Sequence, residues 1–289
     1  MELSRVGIVG GGVMGAGIVQ VFARAGLTVT LVEVDEQACR AALDRITTAL
    51  VRHDPKERAA AWSGGSAVAT VIDEVLGRIR TTEHLEDLHD CELVVEAAPE
   101  APELKIDLFR RLGAVTAAGT TLASNTSSVP IVHLGAASGR PEEVIGLHFF
   151  NPVPAMRLVE IIPSVLTAPA LVDRMQELVT DVLGKTPVLA RDRAGFVVNT
   201  LLVPYLLAAV RMFEAGFATA EDIDRAMTLG CGHPMGPLAL CDLIGLDTVQ
   251  AIGKSMYDEF KEPQYAPPPL LDRMVSAGLL GRKSGRGFY

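Results

Sequence analysis

The sequence predicts an α/β fold in which a doubly wound sheet with an inserted helical hairpin is followed by an all-helical C-terminal domain. Short apolar strands alternate with amphipathic helices over residues 1–190, a pattern typical of a parallel sheet with helices on both faces. Over residues 191–289 only helical periodicity remains. Because 289 residues are enough for two ordinary domains, we predict domains of residues 1–190 and 191–289.

The chain begins with a strand, a turn, a helix and a second strand. The strand over 6–9 is apolar, the turn over 10–15 is rich in glycine, and the helix over 16–25 precedes the strand over 28–32. Residues 36–80 have helical periodicity that turn-forming residues interrupt twice. We therefore expect a βαβ unit followed by a helical hairpin.

Further strands follow the hairpin. Strands are expected over 92–96 and 120–124, separated by a helix over 104–112, which continues the alternation. The apolar runs 144–150 and 158–162 are joined by a turn that contains two prolines. We expect these two runs to fold back on each other as an antiparallel pair.

The second domain is predicted to contain helices alone. Their ranges are 195–215, 219–229, 237–260 and 269–277. Thr219 stands at the start of the second of these helices, where a hydroxyl side chain can accept a hydrogen bond from a free backbone N–H.

Glu160 is an acid inside an apolar run, where an ionised side chain without a partner would be strongly unfavourable. His148 lies as far from the intervening turn as Glu160 does, so the two can face each other across the antiparallel pair. Such a pair would act as a general base for a hydroxyl, because the carboxylate orients the imidazole and stabilises the imidazolium. The alternative is a structural ion pair between two strands.

The glycine-rich turn has the spacing of a dinucleotide fingerprint. Gly10 would make the tight turn, Gly12 would let the backbone approach the pyrophosphate, and Gly15 would let helix and strand pack closely. Glu33 closes the second strand, where an acid binds the ribose diol and repels the 2′-phosphate of NADP. We predict NAD as the cofactor, with contacts at Gly10, Gly12, Val13, Met14, Gly15 and Glu33. The alternative is a glycine-rich turn without a ligand.

Composition and charge disfavour several classes of function. The formal net charge of −9 makes a general surface for nucleic acid or anionic membranes unfavourable. The four cysteines are scattered and no histidine has metal-ligand spacing, which indicates a reduced protein without a metal site. The longest apolar stretch, 196–210, is shorter than the about 20 residues that span a bilayer, and we find no secretory leader. We expect a cytoplasmic protein with no nucleic-acid or membrane partner.

Several motifs in one order resemble the L-3-hydroxyacyl-CoA dehydrogenase family, in particular the bacterial 3-hydroxybutyryl-CoA dehydrogenases. After the glycine turn these motifs are SNTSS (124–128), LHFFNP (147–152), GFVVN (195–199), PMGP (234–237) and GRKSGRGFY (281–289). The resemblance covers nearly the whole chain. It implies a Rossmann-type NAD domain, a helical domain through which subunits dimerise, and an active site in the cleft between the domains.

The resemblance also implies roles for individual residues. His148 would be the general base and Glu160 its orienting partner, while Ser127 and Asn199 would hold the substrate's oxygen and nearby groups. Cofactor contacts would come from Glu33, Glu100, Lys105, Ser127, Asn151 and Lys283. As alternatives, Ser127 could cap a turn and Asn199 could be a core amide. Lys105 and Lys283 could be solvated surface charges.

The helical hairpin departs from the family pattern. Members that act on coenzyme A esters often carry a serine and several lysines near the carrier, whereas this chain has Ala49 at the serine position and Lys56 at the lysine position. We therefore take Lys56 as a substrate-binding residue but leave the carrier open. The acyl group could be attached to coenzyme A or to an acyl carrier protein. A free hydroxy acid, as in relatives that oxidise gulonate or carnitine, is a third possibility.

These observations favour an NAD-dependent oxidoreductase. Its expected reaction interconverts a short (S)-3-hydroxyacyl thioester and the 3-keto form, in fatty-acid breakdown or short-chain precursor metabolism. The alternative from another class is an NAD-binding protein without catalysis. The dyad distinguishes them, because a non-catalytic protein has no physical need for an acid in an apolar strand.

Overall fold

The computed structural model describes residues 3–53 and 72–289. These residues form two compact units, one up to Asp192 and one from Arg193 onward. The first unit is an α/β structure and the second consists of helices and short turns.

The first unit is built on one eight-stranded sheet with the order β3-β2-β1-β4-β5-β6-β7-β8. All neighbouring strands are parallel except β6 and β7, which are antiparallel. The predicted α/β fold is therefore confirmed. The strands are β1 Arg5–Val9, β2 Thr28–Val32, β3 Ile79–Thr82, β4 Leu93–Glu96, β5 Thr121–Ser124, β6 Val144–Phe149, β7 Leu158–Pro163 and β8 Thr186–Leu189.

Helices cover the sheet, and the central strands are buried along their whole length. Every residue of β4, β5 and β6 is buried, as expected for strands with helices on both faces. The main apolar core includes Phe22, Leu31 and Leu93. The helices of this unit are α1 Val13–Arg24, α2 Glu36–His53, α3 Pro102–Val115, α4 Ile131–Ser138 and α5 Pro169–Glu177.

The first helix packs against the turn that joins β6 and β7. A Cβ atom added at Gly17 would lie 2.8 Å from the Cβ of Val153, closer than real Cβ atoms approach. The α1 backbone therefore rests directly on Val153, and this contact leaves no room for a side chain at position 17.

The predicted helical hairpin is described only in its outer parts. Helix α2 runs from Glu36 to His53, and residues 72–76 are helical again before β3. The connection between them lies outside the described residues, and so does the predicted substrate-binding residue Lys56.

The second unit has its own apolar core, which includes Leu206, Leu207 and Leu238. Its helices are α6 Val198–Glu214, α7 Ala220–Cys231, α8 Pro237–Ile244, α9 Leu246–Phe260 and α10 Pro269–Ser276. Thr219 caps α7 as predicted, since its side chain accepts a hydrogen bond from the Asp222 N–H. In the two described stretches, no helix combines the length and the apolar character needed to cross a membrane.

One helix prediction was wrong. The helix predicted over 237–260 is two helices, α8 and α9, which meet at Gly245. Gly245 has a φ of +103°, which a right-handed helix cannot contain and which glycine adopts without steric cost. The chain therefore changes direction there.

Two buried aspartates tie the end of the second unit to its helices. Asp224 accepts hydrogen bonds from the N–H groups of Leu238 and Ala239 at the start of α8. Asp242 accepts from the N–H groups of Phe288 and Tyr289. Since a helix N-terminus has unsatisfied N–H groups, Asp224 both caps α8 and connects it to α7.

All four cysteines are free thiols, and three of them are buried. Burial raises the pKa of Cys91 and of Cys241 to about 12. Because the thiolate is the nucleophilic form of cysteine, these two thiols are unreactive near neutral pH.

Candidate active site

His148 and Glu160 face each other at the antiparallel pair of strands. They are direct partners in the register of β6 and β7. Nδ1 of His148 lies 2.7 Å from Oε2 of Glu160, and their side chains are 6% and 0% exposed. The predicted pairing is confirmed, and the partner that a buried acid requires is the imidazole.

The hydrogen bond to Glu160 determines how the imidazole is used. An ionised carboxylate only accepts hydrogen bonds, so Nδ1 of His148 carries the hydrogen that is donated to Glu160. In the neutral ring, Nε2 is then the acceptor, and it lies 3.1 Å from Oγ of Ser127. Hydroxyl, imidazole and carboxylate stand in the order that general-base chemistry requires.

Ser127 reaches His148 from the segment that follows β5. Parallel strands of doubly wound sheets present ligand-binding residues at their carboxyl ends, and this segment begins at such an end. The Ser127 hydroxyl contacts the imidazole rather than capping a turn. Asn125, which we did not predict, accepts a hydrogen bond from the N–H of Phe149 at 2.8 Å and thereby links the segment to the strand of His148.

The Glu100 carboxylate accepts several hydrogen bonds from residues 126–128. Its Oε1 accepts hydrogen bonds from the Thr126 hydroxyl, from the N–H groups of Ser127 and Ser128, and from the Ser128 hydroxyl, at 2.6–2.9 Å. Burial raises the pKa of Glu100, but the charge of Lys105 and these hydrogen bonds outweigh it and hold the pKa below its usual value. Glu100 is therefore ionised at neutral pH.

Lys105 is not a surface charge. Its side chain is 1% exposed, and its Nζ lies 2.7 Å from Oε1 of Glu96 and 3.4 Å from Oε2 of Glu100. The alternative of a solvated lysine is therefore wrong for Lys105. Glu96 is a residue that we did not predict, although an acid at the end of an apolar strand is the same signal that identified Glu160.

The glycine turn fits a bound dinucleotide. Gly10 has a φ of +95°. A Cβ at Gly15 would lie 1.8 Å from the Gly10 carbonyl oxygen, so this position requires close packing without a side chain. In contrast, a Cβ at Gly12 would meet nothing within 4 Å, which leaves space for a ligand against the backbone. Val13, exposed, and Met14, half-buried, follow in the first turn of α1, where free N–H groups attract phosphate.

Glu33 lies against this turn. Its Oε1 accepts a hydrogen bond from the N–H of Gly11 at 2.5 Å, so a carboxylate stands where the ribose of a dinucleotide is bound. Arg45 of α2 donates from Nη1 to the carbonyl oxygen of Gly11 at 3.1 Å, a contact between distant positions that the sequence pattern does not show.

An open cavity of about 400 Å³ lies among α1, α2 and the β6–β7 turn. Asn151 and Ala49, both singled out from the sequence, line it. Gln20 also lines it, and its buried amide has no hydrogen-bond partner within the described part of the chain. The Gln20 side chain is fully buried, so its amide is not accessible from the cavity.

Asn199 and Lys283 belong to the second unit. Asn199 is the second residue of α6 and is buried. Lys283 lies in a 3₁₀ turn and forms an ion pair with Asp247, and both side chains are partly exposed. Their roles remain predictions.

A parallel sheet with a glycine turn that fits a dinucleotide, and an imidazole–carboxylate pair beside a hydroxyl, define a dinucleotide-dependent dehydrogenase. Residues 5–193 match the family model for the 3-hydroxyacyl-CoA dehydrogenase NAD-binding domain, and residues 195–289 match that for its C-terminal domain. The chain therefore belongs to the 3-hydroxyacyl-CoA dehydrogenase family. It is an NAD-dependent oxidoreductase, and the predicted resemblance, cofactor and enzyme class are confirmed.

Similar proteins span the whole chain. A 3-hydroxybutyryl-CoA dehydrogenase of Mycobacterium tuberculosis is 51% identical over 288 residues, which cover 99% of this chain and 98% of that protein. The crystal structure of M. tuberculosis FadB2 superposes with a TM-score of 0.94, 51% identity and coverage of 99% and 98%. That of (S)-3-hydroxybutyryl-CoA dehydrogenase PaaH1 from Ralstonia eutropha gives a TM-score of 0.90, 38% identity and coverage of 100% and 99%.

Proposed function

We propose that this protein catalyses the NAD-dependent oxidation of a short-chain (S)-3-hydroxyacyl-CoA, such as 3-hydroxybutyryl-CoA, to the 3-ketoacyl-CoA, and the reverse reaction. The observation that carries the proposal is the hydrogen-bonded order of Ser127, His148 and Glu160. The names of relatives at 51% and 42% identity over nearly the full chain support the substrate class.

In this proposal His148 is the general base. Its Nε2 takes the proton from the substrate's 3-hydroxyl group and returns it in the reverse direction. The ring then carries a positive charge, which Glu160 stabilises through the hydrogen bond at Nδ1. Because both side chains are buried, this charge pair forms in surroundings where water screens it little.

Ser127 and Asn199 hold the reacting oxygen and its neighbours. Oγ of Ser127 lies 3.1 Å from the nitrogen that accepts the proton, which marks the place where a substrate hydroxyl can be held. Asn199 contributes an amide from the helical unit. The first unit would be the NAD-binding domain and the second the substrate and dimerisation domain.

The first unit supplies most of the proposed cofactor contacts. When bound, NAD supplies the hydride acceptor on its nicotinamide ring. Gly12 and the first turn of α1 hold the pyrophosphate, and Glu33 holds the ribose diol. Glu100, Lys105, Ser127 and Asn151 stand at further contact positions, and Lys283 adds one from the second unit.

We assign the cavity beside α1 to the carrier arm of the thioester. Asn151 is exposed in this cavity, and its side-chain amide can pair with the amide groups of such an arm. Asn151, at the mouth of the β6–β7 turn, lies three residues from His148 in the sequence and lines the same cavity. Lys56 would contact the carrier from beyond the described part of the hairpin.

The substrate is tested by following NADH consumption with three 3-keto compounds. Acetoacetyl-CoA is expected to be reduced with the highest kcat/KM, acetoacetyl carrier protein less well and free acetoacetate least. The reason is that binding energy from a remote carrier contributes to transition-state stabilisation, and a truncated substrate loses it. NADH oxidation at 340 nm is the measurement.

The other possible results of this assay would support one of the alternative functions. A preference for the acyl carrier protein, or for the free acid, would assign the protein to one of the alternative substrates. Tight binding of NADH with no reduction of any of the three compounds would support the non-catalytic alternative.

We further propose that the protein acts in the cytoplasm as a homodimer formed through its helical unit. Its free cysteines suit a reducing compartment. Leu201, Phe217 and Leu229 are 73–80% exposed, and burial of such apolar side chains in an interface would stabilise a dimer. Light scattering is expected to give twice the 30.7 kDa chain mass, and Leu201→Asp should lower it. A single-chain mass at every concentration would contradict the dimer.

A further inference from the structure

We propose that Glu96 is a positioning residue that holds Ser127 in place for the reaction. The inference rests on the proposed function, because that function assigns Ser127 to the substrate's oxygen. Glu96 is the last residue of β4, and its side chain is fully buried. It touches neither His148 nor Ser127 and acts through the residues between.

The Glu96 carboxylate accepts three hydrogen bonds. Its Oε1 accepts from Nζ of Lys105 and from the N–H of Ala98, both at 2.7 Å, and its Oε2 accepts from the Ser124 hydroxyl at 2.6 Å. A buried carboxylate of this kind is tolerated only when its partners stay in place. Glu96 therefore fixes three donors at the carboxyl edge of the sheet.

One route from Glu96 to the active site passes through Ser124. The Ser124 hydroxyl donates to Glu96 and accepts a hydrogen bond from the N–H of Thr126 at 3.2 Å. Thr126 directly precedes Ser127. This route sets the direction in which the chain leaves β5.

The other route passes through Lys105 and Glu100. Lys105 is held by Glu96 and lies 3.4 Å from Glu100, so it carries the charge that keeps Glu100 in place. Glu100 then accepts hydrogen bonds from the N–H groups of Ser127 and Ser128. This route fixes the backbone N–H of Ser127 through a hydrogen bond.

Both routes converge on one short segment. Ser127 lies between two backbone positions that Glu96 controls, and its Oγ is 3.1 Å from Nε2 of His148. Displacement of a reacting group by about 1 Å can cost about 100-fold in rate, so rigid support of this segment has a direct kinetic effect.

The test is Glu96→Gln, assayed by reduction of acetoacetyl-CoA at saturating NADH. The kcat is expected to fall about 10- to 100-fold. The KM for NADH is expected to rise by a smaller factor, because Lys105 and Ser127 are proposed cofactor contacts whereas the glycine turn does not shift. Glu103→Gln is the matched control, because Glu103 is exposed on the neighbouring turn of α3. A rise in the KM for NADH with an unchanged kcat would assign the cluster to cofactor binding and overturn the inference.

A double-mutant cycle with Ser127→Ala separates positioning from general destabilisation. If Glu96 acts through Ser127, Glu96→Gln should change kcat by no more than about 2-fold in the Ser127→Ala background. Losses that multiply would show that Glu96 acts elsewhere and would overturn the inference.

A buried lysine that loses its partner can prevent folding, so a second variant is needed in case Glu96→Gln does not fold. If Glu96→Gln does not fold, the cycle is run with Ser124→Ala, which removes one hydrogen bond to Glu96 and leaves the ion pair between Glu96 and Lys105 intact. The wild-type assay keeps the two proposals distinguishable. An inactive wild-type protein refutes the proposed function, whereas an active one with an unaffected Glu96 variant refutes only the positioning role.

Discussion

Replacement of His148 by glutamine is expected to lower kcat by about 10²- to 10⁴-fold, the contribution of a positioned general base. Glutamine has a similar size and keeps a hydrogen-bonding group opposite Glu160, so the β6–β7 pair should remain folded. The NADH dissociation constant should change little, because the glycine turn and Glu33 follow other strands, β1 and β2. Steady-state reduction of acetoacetyl-CoA and fluorescence titration with NADH measure the two quantities.

His133→Gln is the matched control for this variant. His133 is exposed on α4 of the same unit, and its replacement should leave kcat and the unfolding midpoint unchanged. Undiminished turnover in the His148 variant would remove this imidazole from the mechanism.

Replacement of Glu160 by glutamine is expected to lower kcat nearly as much as the loss of His148. The amide can still accept a hydrogen bond from Nδ1, but it supplies no negative charge to stabilise the imidazolium, and it can also orient the ring wrongly by donating. The buried amide remains hydrogen-bonded, so the fold should persist. Acetoacetyl-CoA reduction, together with a thermal unfolding curve, measures both effects. Glu142→Gln, an exposed acid just before β6, is the control.

The two residues should also behave as one unit. In the double variant the loss of kcat should be close to that of His148→Gln alone, because the carboxylate has no role without the imidazole. Losses that add in free energy would show independent roles, and Glu160 would then be a structural partner only.

The pairing of His148 with Glu160 could be predicted because it depends only on the sequence between the two residues. His148 and Glu160 lie 12 residues apart, at equal distances from a proline turn, on strands that are otherwise apolar. Local pairing then brings them together without knowledge of the rest of the fold. The glycine turn could be predicted for the same reason, since its requirements concern neighbouring residues alone.

The network around Lys105 could not be predicted with the same certainty. A lysine on an amphipathic helix is usually solvated, and whether it is buried depends on which strand end the helix covers. Here Lys105 lies over the end of β4 and is paired with Glu96. The contact of Arg45 with Gly11 likewise joins α2 to the glycine turn across 34 residues, a distance over which sequence periodicity carries no information.

The close contact between Gly17 and Val153 couples the motion of α1 to that of the β6–β7 turn. Gly17 has no side chain, so the backbone of α1 contacts the Val153 side chain of the β6–β7 turn directly. A shift of α1 would therefore displace the β6–β7 turn. Substitutions meant to enlarge the cavity among α1, α2 and the β6–β7 turn should therefore be made on α2, for example at Thr48, and should leave Gly17 and Val153 unchanged.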